Sequence, residues 1–188
     1  MAKMISRVFL AVDFPKETKQ LLGEIQGILQ RKFFSRVKWV KKENLHLTLF
    51  FAGDLSEKEL EWLKNRLKEL SFSSFSTTFS SLGGFPDAQN CRIIWLGMTP
   101  AFPWKKLAEK VAFLVKEKFS FPQREFVPHV TLGRVKRGKI RLSRENKKLT
   151  ELIRKIPPVR VKSLVLYSSQ LTSRGPQYTK IKEFKLLL

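Results

Sequence analysis

Several residue types are scarce in this 188-residue chain, and each scarcity closes off a class of chemistry. A single cysteine, Cys91, leaves no partner for an intrachain disulfide and no cysteine-rich zinc site. A reducing cytoplasm is therefore the expected setting. Aspartate occurs only at positions 13, 54 and 87, and no GxSxG elbow is present, which argues against a Ser-His-Asp triad. Two histidines with no acidic cluster nearby fall short of the three or four ligands zinc wants, so no metal or other cofactor is expected. No apolar stretch approaches the roughly 20 residues of a membrane span, and no membrane partner is expected. The opening MAKMISRVFLAVDFP has a short apolar run but no small-residue cleavage site, and it reads as a first strand rather than a signal peptide. Acidic residues are few as well: 16 Asp and Glu face 37 Lys and Arg, for a net charge of +21. That field attracts polyanions and favours nucleic acid as the partner, but it does not choose the reaction.

What is present describes a folded globule. Hydrophobic residues make up 43% of the chain, and its length suits one domain or two small lobes around a shared core. Strands are predicted over residues 7–13, 37–40, 45–52, 72–81, 92–97, 127–135, 159–167 and 178–187. Helices are predicted over 16–31, over a segment opened by a Ser56–Glu59 capping box, over 103–119, and in a short piece ending near Lys155. Gly53-Asp54, Gly83-Gly84-Phe85-Pro86 and Ser173-Arg174-Gly175-Pro176 read as turns. The order contains two rough copies of a strand-helix-strand-strand unit. It predicts an α+β fold of two facing lobes with antiparallel sheets, residues 1–188 forming one bilobal domain with a cleft.

Both histidines sit in the same four-residue pattern, His46-Leu47-Thr48-Leu49 and His129-Val130-Thr131-Leu132, at similar places in the two copies. With nine threonines in the chain, a given histidine seldom meets one two residues on between apolar neighbours, yet both do. Residues i and i+2 of a strand share a face. Each motif is thus a strand with an apolar back and a polar front carrying one imidazole and one hydroxyl.

Two imidazoles at one site are suited to paired acid and base work near neutral pH. A nucleotide cyclic phosphodiester fits, because it brings its own leaving group. One His takes the proton of an attacking water while the other protonates the departing ribose oxygen. Thr48, Thr131 and a cation hold the non-bridging oxygens, where charge develops. Arg134, five residues after His129, is a candidate cation, since its planar fork can make two charge-assisted bonds to phosphate. It also opens a run, residues 134–148, with eight basic residues in fifteen. That run is either solvated surface or a track for an RNA backbone. Phe33, Phe34 and Trp39, set among Arg31, Lys32, Arg36 and Lys38, are either base-stacking rings or core.

These residues resemble the 2H phosphoesterases, named for two H-x-T-x motifs, and within them the RNA 2',3'-cyclic phosphodiesterases, also called 2'-5' RNA ligases. The resemblance runs over nearly the whole chain, through RVFLAVDFP, WVKKENLHLTLFFAGD, GGFPDAQNCRIIWLG, FVPHVTLGRV and LYSSQLTSRGPQYTKI. It implies that His46 is the general acid and His129 the general base, with Thr48, Thr131 and Arg134 on the phosphate. It further implies a metal-free site in the cleft of a two-lobed α+β fold, and a cytoplasmic monomer. Its partner would be RNA with cyclic-phosphate ends, tRNA fragments among them, opened to 2'-phosphomonoesters, with 2'-5' ligation as the reverse activity. A related esterase acting on 2'-5' linkages or small cyclic nucleotides, or a non-catalytic RNA-binding module, are the alternatives. The high positive charge is not part of the family pattern.

Overall fold

Alternating and helically spaced apolar residues become nine strands and four helices in the computed structural model, which describes residues 4–120, 125–142, 147–173 and 175–188. β1 (Met4–Asp13) has Val8 to Val12 all buried. In α1 (Lys16–Phe33), Leu22, Ile25, Leu29 and Phe33 recur every three or four residues and face inward. β2 (Val37–Trp39) leads through a 3-10 turn at Lys42–Asn44 into β3 (His46–Ser56). Ser56 then caps α2 (Glu57–Lys68): the Glu59 N–H donates to its hydroxyl at 3.3 Å and its own N–H donates to the Glu59 carboxylate at 2.8 Å. β4 (Phe75–Phe85), β5 (Ile93–Thr99), α3 (Ala101–Val115) and β6 (His129–Val135) follow. The chain continues as α4 (Lys147–Arg154), β7 (Val159–Val161), and a hairpin of β8 (Ser163–Thr172) and β9 (Gly175–Lys185).

The strands form two antiparallel sheets, one in the order β3-β1-β8-β9 and one in the order β2-β6-β5-β4-β7. Helices α2 and α3 lie together on the first sheet, α2 against β1, β3 and β9 and α3 against β3. Helices α1 and α4 lie together on the second, against β2 and β4. This is the expected α+β arrangement, with one motif strand in each sheet. The core runs through Leu10, Leu22, Ile25, Leu45, Leu47, Ile94, Leu96, Leu107 and Leu132, all fully buried. Buried Trp104 donates its indole N–H to the Thr77 hydroxyl at 3.0 Å, so its polar atom is satisfied. No described helix is long and apolar enough to cross a membrane.

Four sequence expectations need correction. The strand expected over 159–167 is broken at Lys162: β7 pairs with β4 and β8 with β1, in different sheets. Burial alternates through Val159 and Val161, whereas Leu164, Val165 and Leu166 are buried in succession, so the one-sided pattern ends where the second segment enters the other sheet. The following turn is tighter than expected, β8 reaching Thr172 and β9 starting at Gly175 with φ +107°; Arg174 lies outside the described residues. Gly83-Gly84-Phe85 does not turn but belongs to β4, opposite Trp95, Ile94 and Ile93. A Cβ on Gly83 would lie 2.2 Å from the Trp95 ring, so glycine is used here for close approach. Gly53 does not close β3 either. It sits inside the strand at φ +83°, where the pairing with β1 shifts register.

Candidate active site

The two motif strands are built alike. In β1–β3, Asp13 faces His46 and Ala11 faces Thr48, but the next pair is Leu10 with Phe50, which leaves Leu49 as an extra residue. In β5–β6, Gly97 faces His129 and Trp95 faces Thr131, but the next pair is Ile94 with Gly133, which leaves Leu132 extra. A bulge thus falls at the fourth position of each motif. Strict alternation would send the residue five places after each His to the opposite face. The inserted residue reverses that parity. Phe51 and Arg134 therefore join His46, Thr48, His129 and Thr131 along one cleft of about 400 Å³. Leu47, Leu49, Val130 and Leu132 are buried behind them.

The imidazoles are held in the same way. His46 Nδ1 lies 2.7 Å from the Asn44 carbonyl and His129 Nδ1 lies 2.7 Å from the Val127 carbonyl, two residues upstream in each case. A carbonyl only accepts, so each Nδ1 carries a proton and each Nε2 is the atom that gains or loses one. His46 Nε2 is 2.9 Å from the Thr48 hydroxyl. Phe9 and Tyr178 pack on the His46 ring at centroid distances of 5.0 and 5.4 Å, and Phe85 and Trp95 on the His129 ring at 5.0 and 5.8 Å. Burial in these aromatic settings lowers both imidazole pKa values below 6.5. The remaining influences differ. The Asn44 carbonyl and the Asp13 charge favour a proton on His46, against Lys19 and His129. The Val127 carbonyl favours one on His129, and Arg134 opposes it.

Three supporting residues were not singled out from the sequence. Asn44 is buried, and besides orienting His46 through its carbonyl it donates its side-chain amide to the Pro176 carbonyl at 2.8 Å, tying β9 to the site. Gln26 is buried on α1 and donates to the Val40 and Leu132 carbonyls, both at 2.8 Å, so the helix holds the bulge before Arg134. Its signal was a polar residue on the apolar stripe of α1. Asp13 is bridged by Lys19 at 2.6 Å and accepts from the Tyr167 hydroxyl at 3.0 Å.

Of the basic run, Lys136, Arg137, Lys139 and Arg141 are exposed, and the loop is stitched to Arg36 by two hydrogen bonds of 2.9 and 2.8 Å. Arg144 lies outside the described residues. Phe33 joins the core, Phe34 is 84% exposed, and Trp39 lines the cleft. Among the described residues no group of three or more His, Cys, Asp or Glu is placed to hold a metal ion.

A family model for LigT-like phosphoesterases matches residues 12–95 and 103–178. The RNA 2',3'-cyclic phosphodiesterase of Aquifex aeolicus is 36% identical over 193 residues, covering 97% of this chain and 98% of its own. The protein of that name from Archaeoglobus fulgidus is 31% identical over 188 residues, with 95% and 99% covered. A solved structure from Thermus thermophilus matches with a TM-score of 0.76 at 28% identity, covering 95% of this chain and 97% of the other. Escherichia coli LigT shares the fold at a TM-score of 0.77 and 24% identity, with 99% and 100% covered. With the family match spanning most of the sequence and full-length relatives above 30% identity, the chain belongs to the LigT-like phosphoesterases.

Proposed function

We propose that the chain hydrolyses the terminal 2',3'-cyclic phosphodiester of RNA to a 2'-phosphomonoester, with His46 as general acid and His129 as general base. The observation that carries this reading is the placement of two imidazoles, each oriented by the same Nδ1–H to carbonyl bond, along a single cleft with two threonines and an arginine. The names of relatives at 31–36% identity supply the substrate class.

His129 Nε2 takes a proton from water as the water oxygen bonds to phosphorus. His46 Nε2–H gives its proton to the 3' oxygen as the P–O3' bond breaks. The electrostatic asymmetry supports this division of labour: Asp13 faces the acid, and Arg134 disfavours a charge on the base. Burial holds the free His46 toward neutrality, and the negative phosphate draws it back to the imidazolium on binding. Thr48 is the partner of His46 Nε2 in the free site. With His46 neutral, Nε2 accepts from the Thr48 hydroxyl. Once the imidazolium directs its Nε2–H to the leaving oxygen, that hydroxyl donates instead to a non-bridging oxygen, beside Thr131 and the Arg134 guanidinium. Every proton is moved by a side chain, so no metal is required. A 5'-hydroxyl in place of water would join two RNAs through a 2'-5' linkage. Residues 1–188 act here as one bilobal, monomeric unit on cytoplasmic RNA ends, tRNA fragments included.

The test is turnover of a short cyclic-ended RNA in EDTA. Wild type keeps full activity, while His46→Ala and His129→Ala each lose about 10²–10⁴-fold without unfolding. The double variant loses far less than the product of the two, because the pair acts as a unit. Near-normal turnover by either single variant, or a metal requirement, overturns the reading.

A further inference from the structure

Among the described residues, four cations and no carboxylate line the cleft: Arg7 from β1, Lys38 from β2, Lys41 just beyond it and Arg134 from β6. None of the four takes part in an ion pair among the described residues. A cyclic phosphodiester carries one negative charge, far less than this site offers. Lys38 and Arg134 are direct partners in the β2–β6 register. Like charges facing each other across two strands cost stability, and an anion lying between them removes the cost. Alternation along β2 buries Val37 and exposes Lys38, so the lysine cannot exchange its place for one in the core. Lys41 reaches the far wall, its Cε 3.9 Å from where a Cβ on Gly175 would stand at the start of β9.

We propose that Lys38 and Lys41 form a second phosphate subsite beside Arg134, which takes the internucleotide phosphate next to the cyclic end. The substrate class is then a polynucleotide chain rather than a nucleoside 2',3'-cyclic monophosphate. This rests on the reading of the site given above. Arg134 is shared, serving the cyclic phosphate on one side and relieved of its repulsion with Lys38 on the other.

The experiment compares three substrates: adenosine 2',3'-cyclic phosphate, the same nucleotide with a 5'-phosphate, and the dinucleotide ApA with a cyclic end. Wild type favours the last two over the first by about tenfold in kcat/KM, the scale of one charge-assisted contact in an open site. Lys38→Gln abolishes that preference and Lys38→Arg keeps it. A gain with the dinucleotide alone, or a uniform loss on all three substrates in Lys38→Gln, overturns the subsite. A calorimetric comparison of adenosine 2'-monophosphate with adenosine 2',5'-bisphosphate decides the matter without turnover. Wild type binds the bisphosphate about tenfold more tightly, and Lys38→Gln closes the gap. Equal affinities in wild type reject the proposal. Failure to turn over any cyclic substrate would remove the hydrolytic reading while this binding result still judges the subsite.

Discussion

Gln26→Met isolates the contact by which a distant helix shapes the cleft. The two side chains are close in volume, so the substitution deletes hydrogen bonds with little change in packing. Gln26 makes two bonds of 2.8 Å, a buried one to Leu132 and a partly buried one to Val40, each worth about 1 kcal/mol net. The Leu132 carbonyl keeps a second donor, the Val40 N–H at 2.9 Å, and so stays satisfied. The Val40 carbonyl loses the amide that serves it, which adds about 1–2 kcal/mol. The expected loss is about 3 kcal/mol, a large share of the roughly 5–15 kcal/mol that holds a domain folded. Urea unfolding should show a lower midpoint with an unchanged slope. Because Leu132 is the bulged residue that brings Arg134 to the His129 face, kcat/KM on cyclic ends should also fall by up to about 10²-fold, the cost of a small misplacement. A stability change under about 0.5 kcal/mol would refute the clamp, since it lies below the net worth of even one such bond. Full destabilisation with unchanged kcat/KM would refute its link to Arg134.

The pH profile of kcat/KM should be bell-shaped with its maximum below about 6.5, since burial lowers both imidazole pKa values in the free protein. Its limbs belong to the pair, and the alkaline limb of kcat should lie higher, because bound phosphate favours the His46 imidazolium; coincident alkaline limbs would contradict this. Lowered folded-state values also mean that the unfolded chain takes up protons first. The stability tied to these histidines is thus complete above about pH 6.5 and is lost as pH falls through the folded values, which urea midpoints at pH 7.5 and 5.5 would reveal. Neutralising the exposed Lys136, Arg137, Lys139 and Arg141 should flatten the dependence of log affinity on log salt by about 0.7 per lost phosphate contact. An unchanged slope would make the run solvated surface.

The motif strands were legible because alternation places His and Thr on one face and Leu or Val on the other, and the sheets preserve that pattern. The bulges were not legible. Nothing in His129-Val130-Thr131-Leu132 announces that Leu132 lacks a partner on β5, and without that fact Arg134 has the wrong parity for the site. The helix boundary at Ser56 could be read from a local capping box, whereas the break at Lys162 depends on which sheet each half of the segment joins. The glycines at 83 and 84 looked like a turn because their purpose, room for Trp95 and Cys91, is set by side chains on other parts of the chain. Asn44 and Tyr178 come together at His46 through the folding of β9 back along β8, a long-range pairing that no local spacing encodes.

The most direct test of the central claim is phosphorus NMR of a 2',3'-cyclic-ended RNA incubated with the protein in EDTA. With His129 as base and His46 as acid, as proposed, in-line displacement puts water on the side of His129 and the leaving 3' oxygen beside His46. The account predicts a single product resonance, that of a 2'-phosphomonoester, which a 3'-specific phosphatase leaves intact. A predominant 3'-phosphate, or a cyclic resonance that persists, would contradict it.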